Sequence, residues 1–245
     1  MKSSRFALGL LVLALLSGCG PKLGPPTHQY LDTACGAMDQ LDRDLAKETV
    51  PQAPALPNLA ALPPQAQAEA LQKFSEQLNQ YDNAAQAAGD RVIALGDQAL
   101  AKLNPLDPEG TDPSALDLVD RCKSLVNKRQ QMAVTVQAMI AGQRSALRKG
   151  MVPRYAMRLV VAAVDAMFSP GDRVPAGVDL AAAELKPTPE EKSEATSQNL
   201  GLERAIAHWR SDVSETVATR VALEASLKTA YPDLDWSFLT SGTAP

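Results

Sequence analysis

The longest helical pattern in the chain covers residues 65–103, which read QAQAEALQKFSEQLNQYDNAAQAAGDRVIALGDQALAKL. Successive apolar residues in it are spaced alternately three and four positions apart, which places them on one narrow, coiled-coil-like stripe of a helix. A helix of about forty residues is ~60 Å long, so this segment predicts an elongated molecule. Gly89 and Gly96 are expected to weaken the helix, because glycine lowers helix propensity. The stripe consists of Leu71, Phe74, Leu78, Tyr81, Ala85, Ala88, Val92, Leu95 and Ala99.

A second long helix is predicted directly after it. Pro105 ends the first pattern, and Asp112 caps a helix that begins at Pro113 and runs to about Lys149. Because a short connection between two long helices makes them antiparallel neighbours, residues 65–149 are expected to form a long αα-hairpin.

Three further helices are predicted around this hairpin. One begins near His28, and its acidic residues, Asp42 among them, fall mostly off the apolar stripe and are expected to be solvated. Another begins at Pro153 and is apolar nearly all round, which is typical of a central helix. The last begins with a capping box formed by Thr188 and Glu191 and ends before Pro232.

Proline-rich and irregular segments separate these helices. The five prolines in 51–64 exclude a regular helix, but interspersed leucines favour contact with the fold. Residues 169–187 form a long irregular connection, and the tail at 233–239 is expected to fold back onto the bundle. Since no segment shows a convincing strand alternation, the fold class is all-α: one domain, residues 28–245, built as an elongated bundle of about five helices.

The first twenty residues have the pattern of an export signal. Lys2 and Arg5 precede an apolar run of eleven residues at 6–16, too short for a transmembrane helix of roughly 20 residues. The run ends in Leu16-Ser17-Gly18-Cys19, which resembles the lipobox of bacterial lipoproteins. The alternative is a plain signal peptide followed by a cysteine unrelated to processing.

The resemblance to lipoproteins covers residues 1–20 and implies a defined maturation. Residues 1–18 would be removed as the signal peptide, and Cys19 would be lipidated and attached to a membrane. Gly20 instead of aspartate resembles sorting to the outer membrane, facing the periplasm. Residues 19–27, rich in proline and glycine, are then expected to be a flexible tether.

The charge of the chain excludes one class of partner. The net charge is −4, and removal of Lys2 and Arg5 with the signal makes it −6. A nucleic-acid-binding protein is expected to present a basic patch instead, so no nucleic-acid partner is expected.

Two cysteines remain once Cys19 is assigned to lipidation. Cys35 and Cys122 lie on predicted apolar helix faces, and an oxidising compartment favours a disulfide between them. A bridge across 87 positions would stabilise the fold by ~4 kcal/mol in the chain-entropy model. The alternative is two buried thiols.

The sequence predicts no catalytic, cofactor or metal site. His28 and His208 are the only histidines, and the spacing of His28 to Asp32 and Cys35 matches no common ligand set. No haem-attachment, nucleophile-elbow or phosphate-loop motif is present.

The sequence therefore favours a non-catalytic, lipid-anchored module that binds or positions another envelope protein. The alternative is a periplasmic enzyme or small-ligand carrier with a site between helices, lined by Met132, Met139, Met157 and Met167. A third reading, a passive surface lipoprotein, makes no prediction about individual residues.

Overall fold

The computed structural model describes residues 23–149, 151–169, 187–189, 191–194 and 196–240. The predicted signal peptide, Cys19 and most of the 169–187 connection lie outside these described residues. The described part contains five α-helices and no strand, so the all-α class and the predicted number of helices are confirmed. The helices are α1 (Gly24–Ala46), α2 (Pro64–Leu103), α3 (Pro113–Arg148), α4 (Arg154–Phe168) and α5 (Ser197–Ala230).

Two helices form the centre of the bundle. Both α3 and α4 contact each of the other four helices. Of the fifteen residues of α4, eight are buried, which confirms the central position predicted from its all-round apolar pattern. No helix in the described ranges combines the length and the hydrophobicity needed to cross a membrane.

The predicted hairpin is formed by α2 and α3, which run antiparallel and are joined by polar contacts. These contacts recur every seven residues on both helices, the interval at which a helix returns to the same face. The amide or guanidinium donors of α3 lie 2.8, 2.7 and 2.6 Å from oxygen acceptors of α2. The pairs are Gln130–Asp97, Gln137–Asp90 and Arg144–Asn83.

Gly89 and Gly96 do not interrupt α2, contrary to the weak point expected there. Both glycines are buried against α3. A Cβ atom at Gly96 would lie 2.7 Å from Nε2 and 2.9 Å from Cγ of Gln130. The glycine therefore permits the close approach of the two helices, and packing against α3 compensates for its low helix propensity.

The first helix begins earlier than predicted and includes residues 24–27, which were expected to belong to the tether. Helix α1 begins at Gly24 instead of near His28, with Pro25 and Pro26 in its first turn, where a missing N–H costs little. Thr27, expected in the flexible tether, is fully buried, and its Oγ1 accepts a hydrogen bond of 2.7 Å from the backbone N–H of Asp112.

The predicted start of the last helix is also wrong. Thr188 and Glu191 do form the capping box, with bonds of 3.0 and 3.3 Å, but the box caps a 3-10 turn at Glu191–Glu194. Helix α5 begins at Ser197, because Thr196 is extended and its side chain accepts a hydrogen bond from the N–H of Asn199.

Cys35 and Cys122, the two cysteines for which the oxidising compartment predicts a disulfide, lie in the same part of the bundle, and the bridge between them stays a prediction. Both side chains are buried, on α1 and α3, within one hydrophobic core. Buried cysteine packs as a small apolar side chain, and this is how both residues contribute to the core.

The two segments that flank the helices both lie against the bundle. Ala53 of the proline-rich segment packs on the core, and a 3-10 turn follows at Leu59–Ala61. In the tail, Trp236 and Leu239 are fully buried and contact the core, which confirms that it folds back.

Candidate functional site

A groove of about 420 Å³ lies between α4, α5 and the proline-rich segment. Its size falls within the ~300–1,000 Å³ that is typical of ligand sites. Residues from three helices or turns and from one loop contribute to it: Leu56, Arg154, Met157, Arg158, Val161, Ala162, Asp165, Glu191 and Arg210.

The floor of the groove is apolar. Met157 and Val161 lie one turn apart on α4, so both point to the same face. Leu56 completes the floor from the proline-rich segment and is 45% exposed, one of the few large apolar side chains left in water in the described residues.

Three arginines from two helices surround this floor. Arg154 and Arg158 are one turn apart on α4, and Arg210 approaches from α5. Arg158 is held in place, because its Nη2 donates to Oε2 of Glu191 at 2.6 Å and its guanidinium carbon lies 5.5 Å from the ring centroid of Tyr155. The same Glu191 oxygen accepts from the N–H of Thr188 in the capping box.

Asp165 is the second acidic residue of the groove. Burial among neighbouring groups raises the pKa of its carboxyl group above the ordinary value, and the positive charge of Arg210 partly opposes this shift. The groove thus combines an apolar floor with an arginine-rich rim that holds two acids, an arrangement suited to binding a ligand with both apolar and anionic groups.

A second polar group lies inside the hairpin. Asp82 of α2 is fully buried, and the Nε of Arg144 on α3 lies 3.5 Å from its Oδ2. Neither carboxylate oxygen accepts a hydrogen bond from the described residues. Burial raises the pKa of Asp82 to about 6, although the charge of Arg144 lowers it. The neighbouring Tyr81 has its pKa raised by burial and by the charges of Asp165 and Asp82.

The residues singled out from the sequence are not brought together in a site. His28 donates from Nε2 to the carbonyl oxygen of Asp235 at 2.7 Å, and its ring packs on Trp236 and Phe238. His208 is exposed on α5. Within the described ranges, no group of three His, Cys, Asp or Glu side chains is arranged to hold a metal ion.

The four methionines of the predicted pocket are all buried in the hydrophobic core, and Met157 also lines the groove.

Sequence reasoning missed the arginines of the groove. A signal was present in α4, where Arg154, Arg158 and Asp165 follow one face of an otherwise apolar helix, RYAMRLVVAAVDAMF. The contributions of Leu56 and Arg210 have no local signal, because tertiary packing brings them to α4.

The comparisons with known proteins add no relative: no protein-family model, no curated protein and no solved structure matches this chain.

Proposed function

We propose that this protein is a lipid-anchored, non-catalytic binding module of the bacterial envelope. In this proposal Cys19 is lipidated and attaches the mature chain to the outer membrane, facing the periplasm. The helical bundle then binds or positions another envelope protein.

The lipobox at residues 16–19 supports the anchoring, and the start of α1 limits how far a lipid on Cys19 could lie from the bundle. Helix α1 begins at Gly24, and the chain from Cys19 to Leu23 spans at most about 14 Å. Hydrogen bonds from Asp112 to Thr27 and from His28 to Asp235 fix the start of α1 to the α2–α3 loop and to the tail. A lipid on Cys19 would therefore lie close to one rigid end of the bundle, here called the anchored end.

The groove lies far from this anchored end. Helix α3 begins at the anchored end and is 36 residues long, about 54 Å. Arg154 follows the opposite end of α3, and Arg210 lies twenty residues before the end of α5 at Ala230. The groove is therefore roughly 30–50 Å from the anchored end, a distance that suits a partner in the periplasm.

The anchoring is tested by Cys19→Ser in the full-length precursor, with Cys35→Ala as the matched control. We expect Cys19→Ser to leave an unprocessed precursor or a protein released from membranes, as followed by fractionation and by the intact mass. The control should remain processed and membrane-bound. A Cys19→Ser protein that is still cleaved before residue 19 and still sediments with membranes would contradict the proposal.

The volume of the groove favours one other candidate function, a periplasmic carrier of a small amphiphilic ligand. Native mass spectrometry of gently extracted protein distinguishes the two. A bound molecule below about 1 kDa, lost on Val161→Arg but kept in a Val134→Arg control, would favour the carrier over the binding module.

A further inference from the structure

We propose that the groove between α4 and α5 is the docking site for a segment of a partner protein in which acidic side chains flank a large apolar one. This inference rests on the proposed function, since it names the surface and the chemistry through which the module would bind its partner.

The apolar part of the inference follows from the floor. Leu56, Met157 and Val161 form a depression between two helices and a loop, large enough for one or two bulky side chains. Methionine adapts to partners of different shape. Because Leu56 is 45% exposed, covering it with an apolar side chain would remove a large hydrophobic surface from water.

The acidic part follows from the charges around the floor. The lining carries three arginines and two acids, a net positive charge on a chain whose net charge is −4. Arg154 and Arg210 approach the floor from different helices. A segment crossing the groove would therefore meet positive charge from both helices, and arginine binds carboxylates through two parallel hydrogen bonds.

The position and the mixed charge of the groove favour a protein segment over a lipid. The groove lies roughly 30–50 Å from the anchored end, so only a bundle lying flat on the membrane would bring it to the headgroups. Asp165 and Glu191 lie among the arginines. These carboxylates can accept hydrogen bonds from the backbone N–H groups of a peptide, whereas an anionic lipid headgroup without N–H donors cannot use them.

The first experiment places a photocrosslinking amino acid in the full-length protein in cells. Position 56 is the probe, and positions 134 and 221 are matched controls, because Val134 and Val221 are also exposed apolar residues, at 56% and 55%, outside the groove. We expect a protein adduct from position 56 and none from the controls. Mapping the crosslinked peptide should give a segment with acidic residues on both sides of an apolar one.

The second experiment tests the charges. Arg154→Glu combined with Arg210→Glu should reduce the adduct from position 56 about tenfold, and a synthetic peptide of the mapped segment should bind about tenfold more weakly. Arg204→Glu is the control, because Arg204 is exposed on the same helix as Arg210 but does not line the groove. Replacing the acids of the peptide with amides should cause the same loss.

The other outcomes overturn the inference in different ways. An adduct with the mass of a lipid would assign the groove to lipids. Protein adducts from position 134 or 221 but not 56 would leave the proposed function standing and move the docking site elsewhere. Absence of any adduct at the three positions would refute the docking site. The anchoring is tested separately, by the Cys19→Ser variant.

Discussion

Arg129 of α3 and Asp42 of α1 form an ion pair inside the bundle, with 3.4 Å between Nη1 and Oδ1 and with only 3% and 10% of the two side chains exposed. The same arginine donates from Nη2 to the carbonyl oxygen of Ser169 at 2.7 Å. Its guanidinium carbon lies 5.5 Å from the ring centroid of Trp209. One buried charge therefore joins α1, the end of α4 and α5 to the central helix.

We expect Arg129→Met to lower the free energy of unfolding by about 3–5 kcal/mol, because it leaves Asp42 buried without the arginine that balances its charge. Chemical denaturation measures this change. Lys128→Met is the matched control: the adjacent Lys128 pairs with Asp212 while 40% and 28% exposed, so its loss should cost at most about 1 kcal/mol.

The double variant Arg129→Met, Asp42→Leu distinguishes the cost of losing the ion pair from the cost of leaving a single buried charge unbalanced. We expect it to recover most of the stability lost in Arg129→Met, since an apolar pair of similar volume is tolerated where a single buried charge is not. If the stability lost in the double variant equals the sum of the losses in Arg129→Met and in Asp42→Leu, the two side chains are not energetically coupled, contrary to what the geometry indicates.

Asp82 makes the stability of the hairpin depend on pH. Its folded pKa of about 6 lies above the unfolded value of 3.8, so between these values the folded state holds more protons and stability falls as pH rises. Asp82→Asn should therefore stabilise the protein at pH 7 by up to about 3 kcal/mol and flatten its stability between pH 4 and 6.

The matched control for Asp82 is Asp97→Asn, on the same helix but exposed and bonded to Gln130. We expect it to shift the thermal midpoint far less than Asp82→Asn at pH 7. If Asp82→Asn instead destabilises the protein more at pH 7 than at pH 4, the carboxylate contributes a favourable ion pair with Arg144 and is not an uncompensated buried charge.

Two helical glycines should respond in opposite directions to alanine. At Gly36 of α1, no atom other than those of its chain neighbours and its own helix backbone lies within 4 Å of an added Cβ. Gly36→Ala should therefore stabilise the protein by about 0.5–1 kcal/mol through helix propensity. At Gly96 the side chain of Gln130 must move and lose its bonds to Ile93 and Asp97, so Gly96→Ala should destabilise by about 1 kcal/mol.

The glycine measurements are thermal or chemical denaturation of the two single variants. Combining Gly96→Ala with Gln130→Ala tests the cause, since removing the glutamine should make alanine at 96 neutral or favourable. Equal stabilisation by Gly36→Ala and Gly96→Ala would mean that α2 and α3 do not approach as closely as the structure has them.

The helix pattern was predictable from the sequence because it depends on local spacing. The start of α3 at Pro113 and its Asp112 cap follow from proline and capping rules, and both are confirmed, whereas α2 begins at Pro64, one residue before the predicted start. Asp42 was expected in solvent and is instead paired with Arg129, a residue 87 positions away. The groove was missed for the same physical reason: periodicity specifies faces of helices, but not which distant residues pack across them.

The anchored end is held together by the tail, and Trp236 is the residue to remove. It is fully buried, its ring centroid lies 5.2 Å from that of His28, and its Nε1 donates to the carbonyl oxygen of Tyr231 at 3.1 Å. Trp236→Ala should therefore speed hydrogen exchange in residues 24–31 while leaving α4 protected. Trp236→Ala should also lower the free energy of unfolding by about 3–5 kcal/mol.

Phe238→Ala provides the control for Trp236, because Phe238 contacts the same histidine but is only partly buried. It should change exchange in residues 24–31 much less than Trp236→Ala does. Uniformly faster exchange over α1, α4 and α5 in Trp236→Ala would indicate global unfolding. Unchanged exchange at 24–31 would show that the tail does not hold the start of α1, and with it the support for a rigid anchored end would be lost.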